Sequence, residues 1–289
     1  MFDAIVIGKG PAGISAAIYL ARANRNVLVI GKGIGALEKA EKIDNYYGFT
    51  DTISGEELSK QSIKQAERLG IEILTDEVTS IEKAHAFTVS TPSNTYQAKS
   101  IFLASGKQRT GLKVKGFREF QGKGISFCAV CDGFFYRDKT LALIGSGDYA
   151  AHEYEQLRSF TDKITVFTDG SKDISKLFPT DANIVYDKIT EISGDVKVEE
   201  VLTSGDESYP VDGIFVAIGT AGASNFAQTL GIITQNDNIV VDEDYMTNLD
   251  GLFAGGDCIG GLAQIAKSVS DGAIAATNMI RYIKNFKEE

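Results

Sequence analysis

Two glycine turns, each set between a short apolar strand and a helix, constrain this chain more than anything else in it. The first lies in "DAIVIGKGPAGISAAIYLAR", beginning at Asp3, and the second in "LALIGSGDYAAHEYEQLR", beginning at Leu141. In such a turn the first glycine permits a sharp reversal and the second lets backbone N–H groups approach a pyrophosphate. The third position must be small so that helix and strand can touch. The helix N-terminus then offers partial positive charge to the phosphates. A glycine turn that binds nothing is the competing reading of either motif taken alone.

The surroundings of the two turns repeat as well. "KSIFLASG", ending at Gly106, is mirrored by "DGIFVAIG", ending at Gly219. The economical organisation is an α/β chain of two Rossmann-like domains, each a three-layer ββα arrangement. One domain is discontinuous, residues 1–112 with 239–289. The other is inserted at 113–238, with hinges at "SGKQRTGLK" and "TQNDNIV". A length of 289 residues suits two domains of ordinary size.

The formal net charge of −10 argues against a nucleic-acid partner. No stretch approaches the roughly 20 apolar residues of a membrane span. The chain enters a strand at once, without the charged lead and longer apolar run of a signal peptide. The reading is a cytoplasmic protein.

Near the C-terminus, "LFAGGDC" puts Asp257 at a strand end ahead of a helix that begins near Ala263-Gln264-Ile265. A carboxylate there can accept hydrogen bonds from a ribityl chain. The helix dipole could stabilise a reduced flavin by about 0.3–1 kcal/mol per contact. An N-terminal glycine fingerprint joined in space to a C-terminal Gly-Gly-Asp is the sequence shape of an FAD site.

Of three cysteines, two form Cys128-Ala129-Val130-Cys131. Such a pair can close a small disulfide ring, and a thiolate beside a helix start or a partner thiol is activated. Asp132 follows and could shuttle a proton to the leaving thiolate or to the flavin. The alternatives are half of a zinc site, for which Cys258, His85 and His152 are isolated companions, or an inert buried pair. Cys258 itself reads as a packing residue.

Taken together, "GKGPAGISAAIYLAR", "CAVCDGFFYRDK" and "FAGGDC" resemble the low-molecular-weight thioredoxin reductases over nearly the whole chain. The resemblance implies FAD held by Gly8, Gly10, Pro11, Ala12 and Gly13, and by Gly31, Lys32, Gly33, Ala36 and Leu37 of the following loop. It also implies contacts from Asn45, from Ala104 and Gly106, from Gly256 and Asp257, and from Ala263, Gln264 and Ile265. Val78 would flank the adenine through its backbone. Gly31 departs from the pattern, since an acid that could bind the ribose is expected there, and Glu38 comes late. By the same resemblance Cys128 attacks the disulfide of thioredoxin, Cys131 faces the flavin and Asp132 is the acid/base. The hinges would rotate the domains between the two tasks. A homodimer is implied.

The second turn departs further. Members that use a pyridine nucleotide carry a small serine or threonine where this chain has Tyr149, and arginines after the next strand. His152 stands where the family has an acid. The strand here ends in "TDGSKDISK", with only Lys172 and Lys176. Losing two charge-assisted contacts of about 1.5–3 kcal/mol each weakens binding of a 2′-phosphate by about a hundredfold to ten-thousandfold. Three readings stay open: a relic turn, an NADH site with Asp169 on the ribose, and a weak NADPH site. The relic reading is adopted, because the chain looks most like the ferredoxin-dependent flavin thioredoxin reductases, which lack both nucleotide motifs. A ferredoxin near −400 mV would reduce a thioredoxin near −270 mV downhill by about 6 kcal/mol for two electrons. Lys107, Arg109, Lys113, Lys115, Arg118 and Lys123, against Glu119, form a possible docking patch for that acidic donor. A flavin dithiol oxidase and a non-catalytic thiol redox sensor are the remaining alternatives.

Overall fold

The computed structural model describes residues 1–106, 112–127, 129–172, 177–218, 223–236 and 238–287. It divides into two units, Met1–Gln108 with Gly222–Glu289, and Arg109–Ala221.

The first unit is built on a sheet of seven strands among the described residues. Phe2–Ile7 sits centrally and pairs in parallel with Val27–Ile30 on one side and Thr95–Leu103 on the other. Glu72–Leu74 extends the first side in parallel. Thr95–Leu103 is long enough for two neighbours. Its first half takes the antiparallel meander of Phe87–Ser90 and Ser80–Lys83, and its last residues pair in parallel with Leu252–Ala254. Strands buried on both faces read as continuous apolar runs, and Ala4, Ile5, Val6, Leu28, Val29 and Ile30 are all fully inaccessible.

Helix α1 (Pro11–Arg22) follows the first turn, and α2 (Gly55–Arg68) opens on a Ser54 cap whose hydroxyl accepts from the Glu57 N–H at 3.1 Å. Small residues let α1 lie against the long C-terminal helix. A Cβ at Gly272 of that helix would fall 2.2 Å from the Ala12 carbonyl oxygen, so the two backbones touch.

The second unit repeats the plan. Its five-stranded sheet runs Asn183–Val185, Ile164–Phe167, Leu141–Ile144, Gly213–Val216 and Ile125–Ser126, all in parallel. The strand entering each glycine turn is thus flanked by the strand of its mirrored "IF-x-A" segment, Ile5 beside Ile101 and Leu143 beside Phe215. A three-stranded antiparallel meander, Ile189–Ser193, Glu200–Thr203 and Ser208–Pro210, covers part of it. Its helices are α3 (Ala129–Asp132) and α4 (Asp148–Arg158).

The second crossing between units comes at residues 221–222, earlier than the 238–239 boundary read from the sequence. Helix α5 (Ala223–Leu230) packs on Ser80–Lys83 and on Asn238–Ile239, all in the first unit. The expected first hinge falls at 105–113, of which 107–111 lie outside the described residues. The C-terminal helix α6 spans Ile265–Asn285. Among the described residues no helix is long and apolar enough to cross a membrane.

Candidate active site

The first glycine turn has the geometry of an anion cradle. Gly8 adopts φ +113°, and a Cβ there would lie 2.3 Å from the Ala104 carbonyl oxygen. A Cβ at Gly13 would lie 1.9 Å from the Gly8 carbonyl oxygen. Both positions therefore exclude any larger residue. Gly10 differs: a Cβ there would meet nothing within 4 Å, leaving open space over the start of α1. That helix has Pro11 at its first position, no side-chain cap and no acidic residue in its first turn. Its N-terminal N–H groups and dipole suit a phosphate, so the residues present fit the pyrophosphate of FAD.

Residues far apart in sequence close around this cradle. Gly256, at φ +80°, sits so that a Cβ would be 3.1 Å from the Ala12 Cβ. Leu37 belongs to a small apolar cluster with Ile43, Ile53 and Leu58, against which Ile265 packs. The Asn45 Nδ2 donates to the Gln264 Oε1 at 3.0 Å. Helix α6 begins there, without side-chain cap or acidic residue in its first turn. Gly10, Pro11, Leu37 and Ile265 also line a cavity of about 240 Å³ between α1, α2 and α6. That is below the roughly 300–1,000 Å³ of a drug-sized pocket, so it takes part of a ligand at most.

Other expected residues are engaged differently. Lys32 turns its ammonium to the buried Glu77 carboxylate at 2.7 Å. Gly31 is a glycine because a Cβ would press on the Lys9 backbone nitrogen at 3.0 Å. Glu38 accepts from the Ile34 N–H of its own loop. Val78 and Ala104 are buried, Gly33, Ala36 and Ala263 are exposed, and Gly106 takes φ +71°. Asp257 lies in a single helical turn, Gly256–Ile259.

That turn is held by a residue the sequence reading passed over. Lys267 reaches back from α6 to the carbonyls of Gly256 at 2.9 Å and Gly260 at 2.7 Å. It also pairs with the buried Asp271 at 2.7 Å. Asp271 in turn accepts from the Gly256 N–H and the Tyr245 hydroxyl. Cys258 is enclosed, and burial pushes its thiol up to about 12.

In the second unit, Cys128 lies outside the described residues and Cys131 sits in α3. Asp132 closes that helix and accepts from the Ser126 hydroxyl at 2.6 Å. Burial, then the Asp132 charge, holds the neighbouring Tyr136 phenol above its ordinary range. Two aromatic rings next to the thiol segment, Phe134 and Phe135, are 63% and 75% exposed. They stand in "CDGFFYRDK", where an apolar pair usually signals core; of their neighbours in sequence, Gly133 is buried and Tyr136 half-buried.

The second glycine turn is followed by a large side chain at the start of α4. Tyr149 is buried and its hydroxyl donates to the Phe127 carbonyl at 3.3 Å. Asp169, at φ +51°, accepts from the Ile189 N–H at 2.9 Å, so its carboxylate serves the fold. Lys172 is exposed and Lys176 lies outside the described residues, as do Lys107 and Arg109 of the basic stretch. Lys113, Lys115, Arg118 and Lys123 are exposed, and Lys115 pairs with Glu191 at 2.7 Å. Among the described residues no group of three or more His, Cys, Asp or Glu could hold a metal ion.

The pyridine nucleotide-disulphide oxidoreductase family model matches residues 2–272. The thioredoxin reductase of Listeria innocua is 33% identical over 306 aligned positions, covering 100% of this chain and 96% of the relative. The atypical thioredoxin reductase TRi from Desulfovibrio vulgaris Hildenborough superposes with a TM-score of 0.92 at 34% identity, covering 98% of each chain. A ferredoxin-flavin thioredoxin reductase from Clostridium acetobutylicum gives a TM-score of 0.75 at 31% identity over 97% of each chain. The chain therefore belongs to the pyridine nucleotide-disulphide oxidoreductase family as a low-molecular-weight thioredoxin reductase, a flavin disulfide oxidoreductase whose cofactor is FAD.

Proposed function

We propose that this thioredoxin reductase draws its electrons from reduced ferredoxin and passes them through FAD and the Cys128–Cys131 pair to thioredoxin. Tyr149 carries the reading of the donor. It stands in the first turn of α4, where relatives that use a pyridine nucleotide carry a small residue, and it is buried with its hydroxyl engaged by the Phe127 carbonyl. The missing arginines after Phe167 and the engagement of Asp169 with Ile189 support the same view. Exposed Lys113, Lys115, Arg118 and Lys123 would meet the acidic donor.

FAD would be held by the Gly8–Gly13 turn, by Leu37 and Asn45, and by Gly256, Asp257, Gln264 and Ile265. When bound it supplies the electron pair that reopens the protein disulfide. The Cys128 thiolate then attacks the thioredoxin disulfide, forming one S–S bond as another breaks. The departing thiolate takes a proton for which Asp132 is the nearby acid, held by Ser126. Cys131 displaces the mixed disulfide, releasing dithiol thioredoxin and closing Cys128–Cys131. Phe134 and Phe135 give the substrate an exposed apolar contact beside these sulfurs. The enzyme would work as a homodimer in the cytoplasm.

Anaerobic mixing of the oxidised enzyme with NADH, NADPH and reduced ferredoxin tests the donor. Rapid bleaching of the flavin band is expected with ferredoxin alone. Bleaching by either nucleotide at a comparable rate removes the proposal and restores the nucleotide-dependent reading.

A further inference from the structure

Two side chains of α4 stand one helical turn apart and reach the backbone on either side of Cys128. The Tyr149 hydroxyl donates to the Phe127 carbonyl oxygen at 3.3 Å. One turn on, the Glu153 Oε2 accepts from the Ala129 N–H at 2.8 Å. Phe127 and Ala129 are the chain neighbours of Cys128. Residues four apart share a helix face, so one face of α4 holds the segment just before and just after the sulfur-bearing position.

The burial makes these bonds consequential. Tyr149 is 3% exposed, Glu153 7% and Ala129 0%, so water does not substitute for a lost partner. An N–H left unmet in such a place is costly, and the helix it opens is only four residues long. A carboxylate is also an expensive acceptor to bury, which marks position 153 as more than filler. A third tie, Ser126 to Asp132, spans the same segment.

We infer that Tyr149 and Glu153 are positioning residues: they hold the Phe127 carbonyl and the Ala129 N–H, the chain neighbours of Cys128, and so set the rate at which that thiol attacks a substrate disulfide. The inference rests on the assignment of Cys128 as the attacking thiol and adds the device that holds it. It also gives the second glycine unit a task. Its helix, opening from a nucleotide-type turn, supports the thiol segment through Tyr149 and Glu153.

The test uses the full-length, FAD-loaded enzyme, reduced with dithionite and mixed anaerobically with an oxidised bacterial thioredoxin in single turnover. The donor question does not enter. Misplacing a reacting group by around 1 Å can cost about a hundredfold, so Glu153→Ala should lower the limiting rate by about tenfold or more. The thioredoxin concentration for half-saturation should stay the same. Glu153→Gln keeps an acceptor and should restore most of the rate. Tyr149→Phe removes one hydroxyl from a buried ring and should slow the step by about threefold, and it carries the test if Glu153→Ala does not fold. The midpoint potential of the thiol pair, read in dithiothreitol redox buffers, should move in Glu153→Ala and return in Glu153→Gln. Alkylation of the reduced enzyme, mapped by mass spectrometry, separates the two failures. A Cys128 that reacts at the parental rate in Glu153→Ala and Tyr149→Phe, with unchanged potential, overturns the positioning role and leaves the thiol assignment standing. A Cys128 that does not react in the parent enzyme overturns both.

Discussion

Asn45 and Gln264, 219 residues apart in sequence, are joined by a hydrogen bond of 3.0 Å. The bond ties the loop that follows the second strand to the first residue before α6, two segments proposed to hold the flavin. Both residues are exposed, so the bond is worth about 0.5–1.5 kcal/mol. Asn45→Ala should therefore weaken FAD binding by about fivefold. Recovery of flavin fluorescence on dilution measures this. An unchanged dissociation constant would mean that the bond orders the loop without holding the cofactor.

Lys267 organises the Gly256–Ile259 turn through two carbonyls and its pair with Asp271. The Asp271 side chain is only 2% exposed. Removing the ammonium leaves a buried carboxylate without its cation, which costs about 3–5 kcal/mol. Lys267→Met should unfold at markedly lower urea and purify with less flavin. Lys267→Met combined with Asp271→Asn should regain part of the loss, because no charge is then stranded. Equal stability of the single and double variants would contradict this account.

Much of this site was legible because glycines and strands fix it locally. Gly8 and Gly13 are demanded by backbone contacts of 2.3 and 1.9 Å for an added Cβ, and Gly256 by its φ of +80°; a residue with no alternative leaves a sharp trace in sequence. What failed was partner choice. Helix α5 has an apolar face, yet periodicity does not say which sheet will cover it, and the domain boundary was drawn seventeen residues late for that reason. The resemblance implies that Lys32 contacts the cofactor; its ion pair with Glu77, 45 residues away, had no trace in the local sequence. Glu153 sits in "AHEYEQLR", which reads as an ordinary charged helix. Only the fold of the unit turns that residue inward to Ala129.

Cys258 should be inert toward alkylation in the native enzyme. It is fully enclosed, and burial pushes its thiol to about 12, so almost none is thiolate at pH 8. Iodoacetamide added to the reduced native protein should label Cys128 and Cys131 and spare Cys258, which reacts only after urea. Mass spectrometry of the labelled peptides checks this. Labelling of Cys258 at a rate like that of the pair would open the question of a third redox thiol.

Glu153 should make the stability of the second unit pH-dependent. Burial raises its carboxyl from an ordinary 4.5 to about 7, against the opposing pull of the Ala129 N–H. A group raised in the folded state favours its neutral form there. Its contribution is fully present below about pH 4.5 and is lost as the pH climbs through 7. At about 1.36 kcal/mol for each tenfold change, the span is worth roughly 3 kcal/mol at most. Glu153→Gln keeps the acceptor and never ionises. It should match the parent protein in urea at pH 4.5, exceed it increasingly up to about pH 7, and keep a level advantage above that. A difference between the two proteins that stays flat with pH would show that Glu153 does not change its charge on folding.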